Sequence, residues 1–173
     1  LYPTYENFFI FVLQTGASLK KIEIDKPLIP DENKILNHLC SNENLKLVYL
    51  VNPNNPCGYL LSEEFIRELC KRLPDSIIVV DEAYIEFSDH KSSVTLINEF
   101  ENLVVFRTFS KAFGMAGLRL GYMCASDEII NAVSKIRNGK NVSMISQRLG
   151  ICALNNINLI NDWINEVKKA RTD

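Results

Sequence analysis

What this sequence of 173 residues has little of narrows its function before any motif is read. It holds two histidines, His38 and His90, both in polar surroundings and neither at ligand spacing from another metal-binding side chain. No metal site is expected from them. The five cysteines, Cys40, Cys57, Cys70, Cys124 and Cys152, are widely spaced and form no CxxC pair. Reduced thiols in a cytoplasmic protein are the expectation, rather than cystines or zinc. The formal net charge is only -2 and the basic residues are scattered. A nucleic-acid face needs a basic stripe, so no nucleic-acid partner is expected. No apolar run reaches membrane-spanning length and no signal peptide is visible, so no membrane partner is expected either. Internal repeats and low-complexity linkers are missing too. The ends lack punctuation: the chain opens at Leu1-Tyr2-Pro3 without a methionine and stops inside a helical pattern, Asn165 to Asp173. With no Gly or Pro stop signal there, a segment of a longer protein is expected.

What is present is one domain's length of ordinary globular composition, enough for a sizeable core. Strand and helix patterns alternate. Residues 5–16 read as a helix, Leu19 to Asp25 as a strand, and Asp31 to Cys40 as a short helix. Leu45 to Val51 is an apolar strand running into the turn-rich Asn52-Pro53-Asn54-Asn55-Pro56-Cys57-Gly58. Ser62 is placed to cap a helix that stops before Pro74. Residues 76–80 and 103–106 are further apolar strands, 118–124 another, and helices follow over 127–137, 143–156 and beyond. Continuous apolar strands separated by crossovers predict a mostly parallel sheet with helices on both faces, a three-layer α/β fold.

Ligands of such sheets bind at the carboxyl ends of the strands. Each of the three apolar strands carries its unusual polar residues there. Asn55 follows the first, Asp81 and Tyr84 the second, and Thr108, Ser110 and Lys111 the third, with Arg119 eight residues past the lysine. An amine at the end of a buried strand is costly unless used, and desolvation would make it nucleophilic. Hydroxyls beside a guanidinium suit a phosphate. A carboxylate suits a cationic ring nitrogen, and Asn55 and Tyr84 suit a phenolate. Phosphate, pyridinium, phenolate and aldehyde together describe pyridoxal 5'-phosphate. Taken singly, each residue also has a plain role. Asn55-Pro56 with Gly58 makes a turn, Asp81 and Ser110 can cap helices, Tyr5 and Tyr84 can be core aromatics, and Arg119 can pair with a structural acid. Their joint placement at three strand ends is what those separate roles leave unexplained.

Three stretches in order, Asn52 to Gly58, Asp81-Glu82-Ala83-Tyr84-Ile85-Glu86-Phe87 and Arg107-Thr108-Phe109-Ser110-Lys111-Ala112-Phe113-Gly114 on to Tyr122, resemble the fold type I pyridoxal-phosphate aminotransferases, in particular the histidinol-phosphate aminotransferase branch. The resemblance covers nearly the whole chain. It implies that Lys111 forms a Schiff base with the cofactor and then shuttles a proton. It implies that Asp81 holds the pyridine nitrogen protonated and that Tyr84 and Asn55 bond the phenolic oxygen. Thr108, Ser110 and Arg119 would bind the phosphate, and Tyr5 would stack on the ring. The implied reaction passes an amino group from a donor such as glutamate to a keto acceptor. Two alternatives stay open: a decarboxylase of a phosphorylated amino acid, and a cofactor-holding domain without turnover.

The sequence departs from the family at Cys57, where threonine is usual, and at Gly139-Lys140, where a proline and an aromatic residue usually precede the Asn141-Val142 pair. The second change puts an imidazole substrate in doubt, although an ordinary Asn-Gly turn accounts for it equally well. The resemblance also implies missing parts: a glycine-rich phosphate-binding helix start and an interface tyrosine upstream, and a substrate-binding arginine downstream. Residues 1–156 are therefore expected to be the central part of a cofactor-binding large domain, and 157–173 the start of a helix leading to a small domain. A homodimer is expected for the full-length protein, and inactivity for this chain alone.

Overall fold

The computed structural model describes residues 1–171. Helix α1 spans Asn7–Gln14 and α2 Glu32–Cys40, the latter capped by Asp31, whose carboxylate accepts from the Lys34 amide at 3.0 Å. Strand β1 covers Leu47–Val51. Helix α3, Glu63–Arg72, starts where Ser62 Oγ accepts from the Phe65 amide. Its first turn is acidic and its last basic, as the helix dipole favours. Then come β2 (Ile77–Asp81), β3 (Leu103–Thr108), β4 (Gly121–Ala125), α4 (Asp127–Ile136), α5 (Met144–Asn155) and α6 (Ile157–Ala170).

The 4-stranded sheet has the order β1-β2-β3-β4. The first three strands run parallel and β4 returns antiparallel along β3. The expected mostly parallel sheet is therefore the one observed. Alternation along the strands divides its side chains between two faces. Val48, Leu50, Ile78, Val80, Leu103 and Val105 join Ile35, Leu36 and Leu39 of α2 and Phe65, Ile66 and Leu69 of α3 in one core cluster. Burying these apolar side chains is the main force closing the layer. The opposite face holds Tyr49, on which Phe8 of α1 stacks with ring centroids 4.1 Å apart and planes 8° from parallel.

Two sequence expectations fail locally. Leu19 to Asp25 is no regular strand. Among the described residues its one ladder contact is an isolated parallel bridge between Glu23 and Tyr2, made by the Tyr2 amide on Ile22 and the Ile24 amide on Tyr2. The alternation is there, but a strand needs a partner along its length. The last strand begins at Gly121 rather than at Leu118, because Ala116–Leu118 forms a 3-10 turn and Arg119 sits in the left-handed region at φ 51°. A side chain at Gly121 would lie 2.9 Å from the Arg107 carbonyl, so only glycine lets β4 approach β3 there. Among the described residues, no helix is long and apolar enough to cross a membrane.

Candidate active site

The turn after β1 is built by two of its three asparagines. Buried Asn52 bonds both the carbonyl and the amide of Leu61, at 3.1 and 2.9 Å. Buried Asn54 accepts from the Cys57 amide and donates to Thr4 Oγ1. Gly58, at φ 74°, supplies the left-handed residue that closes the turn. With those two spent on the backbone, Asn55 is left to reach outward. Its Nδ2 donates to Tyr84 Oη at 3.4 Å, across from the neighbouring strand end. The turn role and the site role of this segment are thus both realised, on different side chains. Cys57 sits against Pro3, its thiol 3.9 Å from that carbonyl.

Asp81 ends β2 on the Tyr49 face of the sheet. Its Oδ1 accepts from the Ala83 amide at 3.1 Å and its Oδ2 from Tyr49 Oη at 2.6 Å. Burial, with Asp81 and then Tyr5 beside it, pushes the Tyr49 phenol far above its ordinary range. Tyr5 is 46% exposed and accepts from Asn7 Nδ2 at 2.6 Å.

At the end of β3, Thr108 Oγ1 accepts from the Ser110 amide at 3.1 Å and donates to the Leu120 carbonyl at 3.4 Å. Lys111 follows in a loop closed by bonds from Gly114 to Lys111 and from Met115 to Phe109. Its Nζ lies 5.2 Å from the centroid of the Tyr84 ring. The expectation of a buried amine is corrected: Lys111 is exposed, because the loop carries it past the strand end into the open rim. Arg119 stands beside Leu120, but its guanidinium donates to the Ala116 carbonyl of its own turn at 2.8 Å. Ser146 of α5 fixes that turn from behind, its hydroxyl donating to the Leu118 carbonyl at 2.7 Å. The Arg137–Ser143 segment forms a turn in which Asn138 accepts from the Lys140 amide, and Ser143 caps α5. Contacts therefore join Asn55, Tyr84 and Lys111 in one group and Asp81 with Tyr49 in a second, while Arg119 faces its own turn.

Behind these groups lies an ionic clamp that the sequence reading missed. Glu82, 1% exposed, accepts from Ser92 Oγ at 2.5 Å and from the Ser93 amide at 2.6 Å. Arg107 donates to Glu82 at 3.3 Å and to Glu86 at 2.8 Å. Burial opposes the Arg107 charge, but Glu86 and Glu82 outweigh it and hold the guanidinium more firmly protonated than usual. The Glu82 amide also donates to the Phe106 carbonyl, so the ends of β2 and β3 are fastened by backbone and side chain together. Opposite charges near the carboxyl ends of the two strands are visible in the sequence, but the register that brings them together is not.

The sequence profile of the family "Aminotransferase class I and II" matches residues 3–172. This chain belongs to the class I and II aminotransferases. Histidinol-phosphate aminotransferase of Cytophaga hutchinsonii is 34% identical over 169 residues, 98% of this chain and 48% of that protein. A dihydroxyacetone phosphate transaminase of Campylobacter jejuni is 35% identical over 171 residues, 99% of this chain and 46% of that protein. Among solved structures, histidinol-phosphate aminotransferase of Sinorhizobium meliloti in complex with pyridoxal-5'-phosphate superposes with a TM-score of 0.88 at 30% identity, covering 98% of this chain and 46% of that one. This aminotransferase chain spans about half the length of the curated relatives it matches.

Proposed function

We propose that this chain is the cofactor-holding part of a pyridoxal 5'-phosphate-dependent aminotransferase. Its donor would be an amino acid such as glutamate, and its acceptor a keto compound bearing a phosphate. The observation that carries the reading is the Lys111 amine lying over the ring of Tyr84 while Asn55 bonds that same phenol. The donor set fits the cofactor. Among the described residues the Lys111 amine has no hydrogen-bond partner, only the Tyr84 ring face, so it is free to take an aldehyde. Asp81 is held by two donors, and each of its oxygens keeps a lone pair for a ring nitrogen.

The cofactor, when bound, supplies an electron sink next to an attached amino group. Lys111 would hold its aldehyde and afterwards accept and return a proton at Nζ. Asp81 would keep a proton on the ring nitrogen. Tyr84 and Asn55 would orient the phenolic oxygen, and Tyr5 would cover the ring. Thr108 and Ser110 would offer hydroxyls to the phosphate, and Arg119 its guanidinium. A phosphorylated acceptor is supported by the names of two relatives, since histidinol phosphate and dihydroxyacetone phosphate both carry a phosphate ester.

Residues 1–156 as the core of the large domain, and 157–173 as the start of a connecting helix, fit the break at Asn156 between α5 and α6; Thr172 and Asp173 lie outside the described residues. The homodimer reading is supported by exposed apolar side chains such as Met144, Ile145, Leu149 and Trp163. The five free thiols support the cytoplasmic one.

The test is a product assay on a chain extended to the length of its curated relatives, with glutamate, pyridoxal phosphate and a panel of phosphorylated and plain keto acceptors. The reading expects 2-oxoglutarate, formed in step with an aminated phosphorylated acceptor. Release of carbon dioxide from phosphorylated amino acids without keto acid would favour the decarboxylase. Bound cofactor with no product from any pair would leave a holding domain.

A further inference from the structure

Tyr49 belongs to none of the motifs that mark the site, yet it makes the shortest side-chain contact to Asp81. Val51 pairs with Asp81 in the β1–β2 register, so Tyr49, two residues earlier, projects from the same face and reaches diagonally to the carboxylate. Its hydroxyl donates to Oδ2 at 2.6 Å, while Oδ1 takes the Ala83 amide. The ring is held in turn by Phe8 of α1, stacked at 4.1 Å. The groups whose charge acts on this phenol are Asp81 from β2 and Tyr5 from the segment leading into α1.

We propose that Tyr49 is a positioning residue: its hydroxyl fixes the plane of the Asp81 carboxylate so that one lone pair faces the cofactor's ring nitrogen. Held at both oxygens, the carboxylate cannot swing, and the ion pair with a protonated ring is organised before the ligand arrives. Without the hydroxyl, Oδ2 is released while the aromatic stack survives. This inference rests on the cofactor reading above.

The test compares the full chain with Tyr49→Phe, Phe8→Ala and Asp81→Asn, reading pyridoxal phosphate affinity and the pH midpoint of the bound cofactor's absorbance. Tyr49→Phe is expected to weaken binding about five- to tenfold, the factor of one hydrogen bond. It is also expected to raise the midpoint, because a loosely held carboxylate leaves the ring less electron-poor. Phe8→Ala is expected to lower the melting temperature with a smaller change in midpoint. If Tyr49→Phe lowers the melting temperature but leaves affinity and midpoint unchanged, while Asp81→Asn shifts both, the residue only packs and the inference is overturned. If Asp81→Asn also changes neither, the cofactor reading fails and takes this inference with it.

Discussion

Cys70 and Tyr59 hold their protons more tightly in the folded chain than in the unfolded one. Burial pushes the Cys70 thiol from 9.0 up to about 12, and the Tyr59 phenol from 10.0 up to about 12. The Tyr59 hydroxyl is buried and has no hydrogen-bond partner among the described residues, so ionising it there is doubly unfavourable. Both groups have folded values above their unfolded ones. Their contribution to stability is therefore whole below about pH 9 and is lost as pH rises through 12. Urea unfolding is expected to give a constant midpoint from pH 7 to 8.5 and a falling one from pH 9 to 11. In Cys70→Ala the fall should be shallower, and an equally steep fall would remove the thiol from the account. Elsewhere at this scale, neighbours of one type do different work. Asn52 and Asn54 bind the backbone of their own turn, and Asn55 alone reaches the next strand end.

At the scale of elements, the site depends on how the ends of β2 and β3 are held. The Glu82–Arg107–Glu86 cluster lies at that junction, with Asp81 and Tyr84 on one side and Thr108 and Lys111 on the other. Arg107→Ala would leave the Glu82 carboxylate buried without its cation. Such a loss costs about 3–5 kcal/mol, measurable by urea unfolding. Adding Glu82→Gln should recover part of it, since an amide needs no counter-charge; no recovery would mean that Arg107 acts through its packing alone. Helix starts and apolar strands were legible in the sequence because capping and burial are local: Ser62 caps where expected. Leu19 to Asp25 misled because alternation shows which residues share a face but not whether a partner strand runs alongside. The Tyr49–Asp81 pair and the ionic clamp were illegible for the same reason. Both depend on strand register, and no single segment carries it.

Across the whole molecule, one face of the sheet is closed by α2 and α3, and the other carries Tyr49 and Asp81, with Asn55, Tyr84 and Lys111 at the adjoining rim. The residues of the proposed site were legible because their types match a cofactor's functional groups and because three strands deliver them to one end. Their environment was not. Lys111 is exposed rather than buried, and Arg119 bonds its own turn, since both lie in loops whose course follows from closure rather than from pattern. The central claim is that the amine beyond β3 takes the aldehyde of pyridoxal phosphate. Borohydride reduction in the presence of the cofactor, followed by peptide mapping, tests it most directly. The account predicts a pyridoxyl label on Lys111 and none in Lys111→Ala. Label spread over surface lysines, or retained in Lys111→Ala, would contradict it.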